Sequence, residues 1–402
     1  MDQSTLRRIT RRGVSEIISH AEFVKLLEAG RPLRLKMGFD PSRPDIHLGH
    51  VVGLRKLRQL QDLGHQVILI VGDWTAQIGD PSGQSITRPM LTHEEVVENA
   101  ESYMRQFFKV VDRERTRAVW QSEWFGKFSL TDVIGLTSRF TVAQFLNRED
   151  FARRFQAQRP IAITELLYPL LQAYDSVAIE ADVEFGGTDQ RFNLLVGREL
   201  QEMRGQRPQQ CFLMPILVGT DGVQKMSKSL DNYIGVEEPP NDMYGKVMRV
   251  DDDLMMQYFE YLTDVPVEEL EEMRGAVAEQ SVNPMELKKR LAREITTQFH
   301  GLEDARAAEA HFERVVQRRE APGENEMPRY SLGPSSGGRP EVMSVADALV
   351  KTGTAKSAGE AKRWIRQGAV EVNGEKVKTD RVPAPAPDSI IRVGRRYVRV
   401  TD

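Results

Sequence analysis

The segment from Leu33 to Gly72, LRLKMGFDPSRPDIHLGHVVGLRKLRQLQDLGHQVILIVG, decides the fold of this chain. Its first seven residues, 33–39, alternate weakly between apolar and polar side chains and predict a strand. Residues 51–64 carry apolar side chains at helical spacing and stop at a glycine, and residues 66–72 form the apolar run of a buried strand. Strand, helix and strand in this order predict a β–α–β unit, which is the building block of a parallel sheet with crossover helices.

The residues that follow extend this sheet domain. A second candidate strand, CFLMPILVG at 211–219, ends just before the polar segment TDGVQKMSKS. The patterns between the two strand regions are mainly helical and predict an inserted connective region over about residues 115–185. We therefore expect an α/β fold in which residues 1–236 form a Rossmann-like parallel-sheet domain.

The C-terminal part divides differently. Residues 237–320 are helical in pattern throughout, and residues 321–341 are rich in Pro, Gly and Ser, which predicts a linker. Residues 342–402 then form a small α+β unit. Within it, SAGEAKRWIRQG at 357–368 predicts a basic helix stopped by a glycine, and AVEVNGEKV at 369–377 predicts a hairpin with Asn-Gly at its turn.

Composition restricts the class of protein. The chain has 402 residues, 40% of them hydrophobic and 28% charged, which predicts a globular protein of two or three domains. It contains no apolar run of about 18 residues and its N-terminus lacks the apolar stretch of a signal peptide, so we expect a cytoplasmic protein without a membrane span. Cys211 is the only cysteine, which excludes an internal disulfide and a cysteine-rich zinc site.

The charge is unevenly distributed. From Val342 onward there are 12 Lys and Arg against 7 Asp and Glu, a net charge of +5, which leaves −9 on the rest of a chain whose total is −4. A basic tail on an acidic body indicates a polyanion bound at one end, and an incidental fluctuation in a short segment is the alternative.

Two histidines, His47 and His50, lie between the first strand and its helix. Ligands of open parallel sheets bind at this edge, where imidazole donors and free backbone N–H groups converge on a phosphate. Gly49 between them lacks a side chain and allows a flat base or ribose to approach the backbone. Neither a G-x-G-x-x-G nor a G-x-x-x-x-G-K-[ST] motif follows the strand, so a nucleotide site here is of another type. The alternatives are that the histidines cap and pack the helix start, or bind a metal; two histidines without a third ligand make a poor metal site.

The motif KMSKS, residues 225–229, follows the second candidate strand on a polar loop. Lys225 and Lys228, flanked by hydroxyl groups, supply mobile positive charge that suits a polyphosphate leaving group. A solvated surface loop is the alternative for an isolated K-x-x-K, and the co-occurrence with the histidine loop argues against it.

Together, HLGH and KMSKS resemble the two signatures of class I aminoacyl-tRNA synthetases, the second without any substitution. The resemblance implies that ATP is a substrate, accompanied by Mg²⁺, and that no cofactor is tightly bound. It also implies that the imidazoles act early on the ATP phosphates and that the two lysines close over the pyrophosphate. The residues that it assigns to ATP are Gly38, Asp40, His47, Gly49, His50, Gly187, Asp189 and Lys228.

A helical segment in the middle of the chain carries polar side chains on one face. Tyr168, Gln172 and Asp175 fall at i, i+4 and i+7, and GGTDQ at 186–190 offers a glycine turn followed by polar side chains. From the spacing alone, an ordinary amphipathic helix with a solvated face is the alternative.

This whole stretch, with GDWTAQIGDPSG at 72–83, is similar to the tyrosyl enzymes of the class. The resemblance implies that Asp175 accepts a hydrogen bond from the phenol and that Gln190 lies near the carboxylate of the substrate. It implies formation of tyrosyl adenylate and transfer of tyrosine to the 3′-terminal adenosine of tRNA, through the 2′ or 3′ hydroxyl. The residues that it assigns to tyrosine are Thr75, Asp80, Tyr168, Gln172, Asp175 and Gln190. The alternatives are a tryptophanyl enzyme, which shares both signatures, and an RNA-binding regulator that has lost catalysis.

Two positions depart from the pattern of the tyrosyl enzymes. Lys36 stands where some members have a tyrosine that contacts the substrate hydroxyl, so it either points away from the pocket or supplies a different donor. Gln84 stands where a cationic residue often assists the pyrophosphate, which makes Arg88 the candidate for that role.

The tail resembles the RNA-binding module of a small-subunit ribosomal protein, which also ends bacterial tyrosyl enzymes. The resemblance implies that residues 1–236 are the catalytic domain and residues 237–320 the anticodon-side domain, and that the chain forms a homodimer. The expected partners are tRNA(Tyr), L-tyrosine, ATP and a second copy of the chain, with no membrane. The cations that suit an RNA backbone are Lys351, Lys356, Lys362, Arg363 and Arg366.

Overall fold

The structure, a computed structural model, describes residues 2–41, 45–82, 91–318, 320, 323, 327–332, 340–394 and 396–401. Its internal contacts divide the chain into two compact units, residues 1–302 and residues 303–402. Among the described residues, no helix combines the length and the apolar character that crossing a membrane requires.

The first unit is built on a six-stranded sheet. In chain order, its strands are β1 (Glu16–Ile18), β2 (Arg34–Phe39), β3 (Gln66–Val71), β4 (Thr116–Trp120), β5 (Val183–Gly187) and β6 (Gln210–Met214). Their order across the sheet is β1-β6-β5-β2-β3-β4, and only the edge strand β1 pairs antiparallel. This is the α/β, Rossmann-like sheet that the sequence predicts, and the prediction is confirmed.

The β–α–β unit forms where the pattern predicts it. The helix between β2 and β3 spans Leu48–Asp62 and buries Leu54, Leu57 and Leu60. It ends before Gly64, whose φ of +92° belongs to the left-handed region that glycine adopts without a Cβ penalty. The helix thereby crosses over the sheet with its N-terminus at the carboxyl ends of the strands.

Three strands of this sheet, β1, β4 and β5, were not predicted from the sequence. β4 lies inside the predicted inserted region 115–185 and β5 begins inside it, so the segment between these two strands is 121–182. The predicted strand 211–219 is too long: β6 ends at Met214 because Pro215 has no N–H to donate to a ladder.

The helices of the first unit cover the sheet and continue beyond it. They are Gln3–Thr10, His20–Glu28, Leu48–Asp62, Thr75–Ile78, His93–Phe107, Ser122–Phe125, Leu130–Thr137, Val142–Leu146, Glu149–Gln156, Ile163–Ala178, Arg191–Met203, Pro240–Val247, Asp252–Leu262, Val267–Ala278 and Pro284–His300, with short 3₁₀ turns at Thr188–Gln190 and Lys228–Leu230. The last four α-helices agree with the helical pattern predicted for residues 237–320.

The second unit is a small α+β fold. Its helices are Leu302–Phe312, which begins at the division, Val345–Lys351 and Ala358–Arg366, with a π-helical turn at Glu313–Gln317. Its strands are Arg329–Ser331, Val342–Ser344, Val370–Val372, Glu375–Lys376, Arg381–Pro383, Ile390–Val393 and Arg396–Thr401, in one five-stranded and one two-stranded sheet. The predicted hairpin forms at Asn373 and Gly374, whose φ angles of +51° and +85° suit a tight hairpin turn.

Candidate active site

A cleft of about 350 Å³ opens at the carboxyl ends of the parallel strands. It is lined by residues from β2, from the N-terminus of the helix Leu48–Asp62, from the helix Ile163–Ala178, from β5 and from the loop after β6. The sequence-predicted residues that line it are Gly38, Asp40, His47, Gly49, His50, Thr75, Asp80, Tyr168, Gln172, Asp175, Gly187, Asp189, Gln190 and Lys225. Segments far apart in the sequence therefore meet at one edge of the sheet.

The two histidines are held by the backbone at the start of their helix. His47 is the N-cap, its Nδ1 accepts from the N–H of Gly49 at 3.2 Å, and Nδ1 of His50 accepts from the N–H of His47 at 3.2 Å. A Cβ at Gly49 would approach within 2.9 Å of the His47 ring, so glycine is required beside this imidazole. The helix-capping role that the sequence left open as an alternative is therefore present in the structure.

Burial keeps both imidazoles neutral. Desolvation lowers the pKa of His47 well below its ordinary value and, with the nearby Lys228 ammonium, lowers the pKa of His50 to about 4. Because Nδ1 accepts a hydrogen bond in each neutral ring, the ring proton resides on Nε2. Each histidine therefore keeps one N–H donor for a ligand in the cleft.

The two signature lysines lie on a loop whose methionine, Met226, is buried. The ammonium of Lys225 contacts the carboxylate of Asp189 at 3.1 Å. Lys228 does not line the cleft itself; its Nζ donates to the carbonyl of Asp45 and lies 3.8 Å from the carboxylate of that residue. The two lysines flank Met226 in the sequence. Each of them therefore interacts with a residue of a segment that borders the site, Lys225 with Asp189 and Lys228 with Asp45.

One face of the cleft is a network centred on Asp40. The hydroxyl of Tyr168 donates to Oδ2 of Asp40 at 2.7 Å, and the hydroxyl of Thr75 donates to Oδ1 at 2.7 Å. Burial, together with the neighbouring carboxylates of Asp40 and Asp80, raises the pKa of Tyr168 well above its ordinary value. The phenol thus stays protonated, and its oxygen keeps acceptor capacity for a cation.

Asp175 lies at the buried end of the cleft and is 2% exposed. Its Oδ2 accepts from Nε2 of Gln121 at 2.8 Å, and its Oδ1 accepts from the indole Nε1 of Trp124 at 3.2 Å. Desolvation raises the pKa of Asp175 to about 7, although these two donors and the charge of Lys36 act in the opposite direction. A carboxylate with two fixed donors retains lone pairs for a further hydroxyl donor.

Two glutamines complete the polar lining. Nε2 of Gln190 donates to Oδ2 of Asp80 at 2.7 Å, and its Oε1 accepts from Asn193 at 3.0 Å. Nε2 of Gln172 donates to the buried carboxylate of Glu184 at 3.1 Å. The amide oxygen of Gln172 is thereby oriented as an acceptor.

Lys36 points away from the cleft. Its side chain is completely buried, its Nζ is 2.8 Å from the Glu184 carboxylate, and it does not line the cavity. The sequence left open whether Lys36 points away from the pocket or supplies a donor to it, and the structure shows that it points away.

Sequence reasoning missed Gln121 and Trp124, the two donors to Asp175. The available signal was the short apolar segment TRAVW that precedes Gln121. Had that segment been recognised as the parallel strand β4, the next residue would have been expected at the edge that carries the site.

Two residues singled out from the sequence have no described position. Arg88 and Gln84 lie outside the described residues. Within the part of the chain that the structure describes, no group of three or more His, Cys, Asp or Glu side chains is placed to hold a metal ion.

The predicted RNA-binding cations lie in the second unit. Lys362, Arg363 and Arg366 are exposed on the helix Ala358–Arg366, whose opposite face buries Ile365 in the core of the unit. The other two exposed cations are Lys351 and Lys356.

Comparison with known proteins identifies relatives over almost the whole chain. The family model described as tRNA synthetases class I (W and Y) matches residues 28–317, and the S4 domain model matches residues 343–381. The chain is 57% identical over 394 residues to the tyrosine–tRNA ligase of Dehalococcoides mccartyi strain CBDB1, covering 98% of both chains. It is 50% identical over 390 residues to that of Thermotoga maritima, covering 97% of this chain and 95% of the relative.

A solved structure agrees with these relatives. Tyrosyl-tRNA synthetase from Archaeoglobus fulgidus, determined in complex with L-tyrosine, aligns with a TM-score of 0.63 at 27% identity. The alignment covers 76% of this chain and 98% of that one.

Proposed function

Because this chain belongs to the class I tRNA synthetases of the tryptophan and tyrosine group, and within them to the tyrosine–tRNA ligases, we propose how its residues divide the reaction. The activity is the joining of L-tyrosine to tRNA at the expense of ATP. The geometry of the cleft supports the role of each residue.

The phenol of tyrosine is bound by Asp175. Its carboxylate is buried, is oriented by Gln121 and Trp124, and keeps lone pairs that suit a hydroxyl donor. Phenylalanine would leave this polar group buried without its partner, and an unpaired buried acceptor is costly. An indole places no hydroxyl at this position, so the same argument disfavours tryptophan.

The ammonium and carboxylate of the substrate lie nearer the mouth of the cleft. The phenol oxygen of Tyr168, the amide oxygen of Gln172 and the carboxylate of Asp80 are acceptors that suit an ammonium group. Gln190, bonded to Asp80, lies next to the carboxylate that reacts. Thr75 holds Asp40 in place and shapes the pocket.

ATP occupies the side of the cleft formed by the histidines and the glycines. The Nε2–H donors of His47 and His50 bind phosphate oxygens early in the reaction, and Gly49 leaves room for the adenosine. Gly38 lines the same side of the cleft, where it presents no side chain to the nucleotide. Asp40, Gly187 and Asp189 contact the adenylate.

The chemistry needs no activated nucleophile. An oxygen of the tyrosine carboxylate attacks the α-phosphorus of ATP, the bond from that phosphorus to the bridging oxygen breaks, and pyrophosphate leaves. The protein aligns the two groups and stabilises the charge that develops on the phosphates. A terminal hydroxyl of tRNA then attacks the tyrosyl carbonyl, and AMP leaves.

The lysines act on the leaving group. Lys225 and Lys228 move from Asp189 and Asp45 to the pyrophosphate, which offers more negative charge than either carboxylate, and Arg88 adds to them. Magnesium enters as the ATP complex, because Mg²⁺ is typically held by one or two carboxylates together with substrate phosphates.

We propose that the chain is organised as catalytic domain 1–236, anticodon-side helices 237–320, linker 321–341 and RNA-binding domain 342–402. The S4 match to residues 343–381 supports the last of these. The exposed cations on its first two helices and in the turn between them suit the phosphate backbone of tRNA(Tyr).

We propose a homodimer that uses the region 121–182. Five large apolar side chains of this region are 58–79% exposed, and such exposure in one region is typical of an interface. They are Leu130, Ile134, Val142, Phe155 and Ile163. A cytoplasmic location follows from the proposed partner, since charged tRNA is used there by the ribosome.

The single observation that carries the tyrosine pocket is the buried, doubly hydrogen-bonded carboxylate of Asp175 in a cleft shared with both signatures. The test is ATP–pyrophosphate exchange driven separately by tyrosine, phenylalanine and tryptophan. Exchange with tyrosine alone is expected. Equal exchange with phenylalanine would overturn the role given to Asp175, and exchange with tryptophan would overturn the proposed shape of the pocket.

A further inference from the structure

Two opposite charges are buried beneath the tyrosine pocket. Nζ of Lys36 lies 2.8 Å from the carboxylate of Glu184, and the two side chains are 0% and 1% exposed. The residues face each other on the paired strands β2 and β5. A buried ion pair is in general no more stabilising than apolar residues of the same volume, because both charges lose their hydration. Stability alone therefore does not account for this pair.

Four hydrogen bonds join the pair to one turn of the helix Ile163–Ala178, and Glu184 also accepts from the side-chain amide of Gln209. Nζ of Lys36 donates to the backbone carbonyl of Gln172 and to the hydroxyl of Ser176, each at 2.7 Å. Glu184 accepts from the side-chain amide of Gln172 at 3.1 Å and from the hydroxyl of Ser176 at 3.3 Å. Gln172 is thus fixed at both its backbone and its side chain.

Asp175 lies within the same turn, between Gln172 and Ser176. The charged side chains that face it from the sheet are Lys36 on β2 and Glu184 on β5, which act on it with opposite sign. Its remaining partners are the neutral donors Gln121 and Trp124. On its own helix, the charge of Asp175 contributes to the raised pKa of the Tyr168 phenol.

We propose that Lys36 and Glu184 are positioning residues for tyrosine, which orient Gln172 toward the substrate ammonium and set the charge on Asp175 that receives the phenol. The proposal rests on the roles proposed above for Gln172 and Asp175. It extends them to two side chains that lie outside the cleft and touch no substrate.

The test is the pH dependence of kcat/KM for tyrosine, measured by ATP–pyrophosphate exchange at saturating MgATP between about pH 5.5 and 8.5. We expect kcat/KM to fall on the acid side of this range as the carboxylate of Asp175 binds a proton, and this fall is the acid limb of the profile. Lys36→Met removes the positive charge and moves the acid limb to higher pH, by about one unit. Glu184→Gln removes the negative charge and moves it to lower pH, by about one unit. A purely structural role predicts no such opposition of sign.

The acid limb is assigned to the titration of Asp175 because of the pKa values of the groups in the cleft. Burial raises the pKa of Asp175 to about 7, whereas the pKa of His50 is about 4 and that of His47 is well below its ordinary value. His50 therefore does not titrate in this range, and burial shifts the pKa of His47 in the direction opposite to that of Asp175. Asp175→Asn should abolish the limb.

A double variant keeps the test valid if the single variants do not fold. Lys36→Met with Glu184→Gln leaves no unpaired charge and retains an amide oxygen that can accept from Gln172. We expect its acid limb close to that of the parent and its KM for tyrosine raised about threefold to tenfold, with the KM for ATP unchanged.

An ion pair between the helix Glu149–Gln156 and the helix Ile163–Ala178 offers a matched control. Arg154 of the first helix and Glu165, near the N-terminus of the second, form a buried ion pair at 2.5 Å, and neither lines the cleft. Arg154→Met with Glu165→Gln should leave the limb and the KM for tyrosine within about twofold of the parent, because it removes an equal pair with no bond to Gln172.

The outcomes distinguish a failure of the role of Asp175 from a failure of the positioning role of Lys36 and Glu184. If Asp175→Asn leaves the limb in place, the proposed role of Asp175 fails. If Asp175→Asn abolishes the limb but the single variants shift it in the same direction or not at all, only the present inference is overturned. A double variant with the same KM for tyrosine as the control pair also overturns it.

Discussion

Nε2 of Gln121 donates a 2.8 Å hydrogen bond to the carboxylate of Asp175, across 54 residues of sequence. Gln121 is the residue that follows β4, and Asp175 lies on the helix that precedes β5. The side-chain oxygen Oε1 of the same glutamine accepts from the backbone N–H of Thr75 at 3.0 Å. One amide thus joins the proposed reader of the tyrosine hydroxyl to the wall of the pocket.

Trp124→Phe should weaken tyrosine binding without disturbing ATP. The change keeps an aromatic ring and removes the N–H that donates to Asp175 at 3.2 Å. Loss of this bond should lower kcat/KM for tyrosine about 3- to 10-fold. It should also move the acid limb of the pH profile upward, because that bond lowers the pKa of Asp175. An unchanged profile in pyrophosphate exchange would show that the indole does not act on the carboxylate.

Asp175 should make folding stability depend on pH. Burial raises its pKa from 3.8 to about 7, so between these values the folded chain binds more protons than the unfolded chain. The free energy of unfolding therefore loses the contribution of this group as pH rises from about 4 to 7. Urea denaturation of the parent and of Asp175→Asn at several pH values measures it. The difference between the two should change in favour of the variant as pH rises, and a difference independent of pH would contradict the burial argument.

The two signature lysines should act on rate rather than on tyrosine affinity. Lys228→Ala should lower the rate of adenylate formation by about 10²- to 10³-fold, since it removes a cation that stabilises the leaving group in the transition state. Lys225→Ala should act in the same direction, with the Kd for tyrosine unchanged in both. Single-turnover formation of adenylate is the measurement, and Lys25→Ala, an exposed lysine of the same unit paired with Glu22, is the control. Preserved turnover in Lys228→Ala would contradict the role.

The basic helix of the second unit should contribute to tRNA binding and not to activation. Changing Arg363 and Arg366 to Ala should raise the KM for tRNA and reduce the slope of log K against log salt by about 1 to 2. Tyrosine-driven pyrophosphate exchange should be unchanged. Arg392→Ala removes an exposed cation that pairs with Glu371 in the same unit and serves as the control. Equal effects of both changes on the KM for tRNA would exclude a specific role for the helix.

The parts of the fold that could be predicted from the sequence are those with strong periodicity. The run from 66 to 71 is almost entirely apolar, and the helix Leu48–Asp62 repeats its apolar residues over four turns. By contrast, β4 has only one buried residue, Val119, and β5 carries the buried Glu184, so neither shows the apolar run of a central strand. Their place in the sheet depends on long-range pairing, which a local pattern does not contain.

The site residues that could be predicted are likewise those with a local signal in the sequence. The histidine and lysine motifs are short and local, so the order of residues along the chain is enough to locate both. Lys36 could be noticed as a departure, but its partner Glu184 is 148 residues away and became visible only through the register of β2 against β5. Gln121 was missed because the strand that positions it was missed.

The central claim is that the carboxylate of Asp175 selects tyrosine through its hydroxyl. The most direct measurement is the ratio of kcat/KM for tyrosine to that for phenylalanine in ATP–pyrophosphate exchange, in the parent and in Asp175→Asn. We expect the ratio to fall by about 10- to 150-fold in the variant, the worth of one hydrogen bond to a charged group, through loss of activity with tyrosine. A ratio that stays within about twofold of the parent would contradict the claim and place recognition of the hydroxyl elsewhere in the cleft.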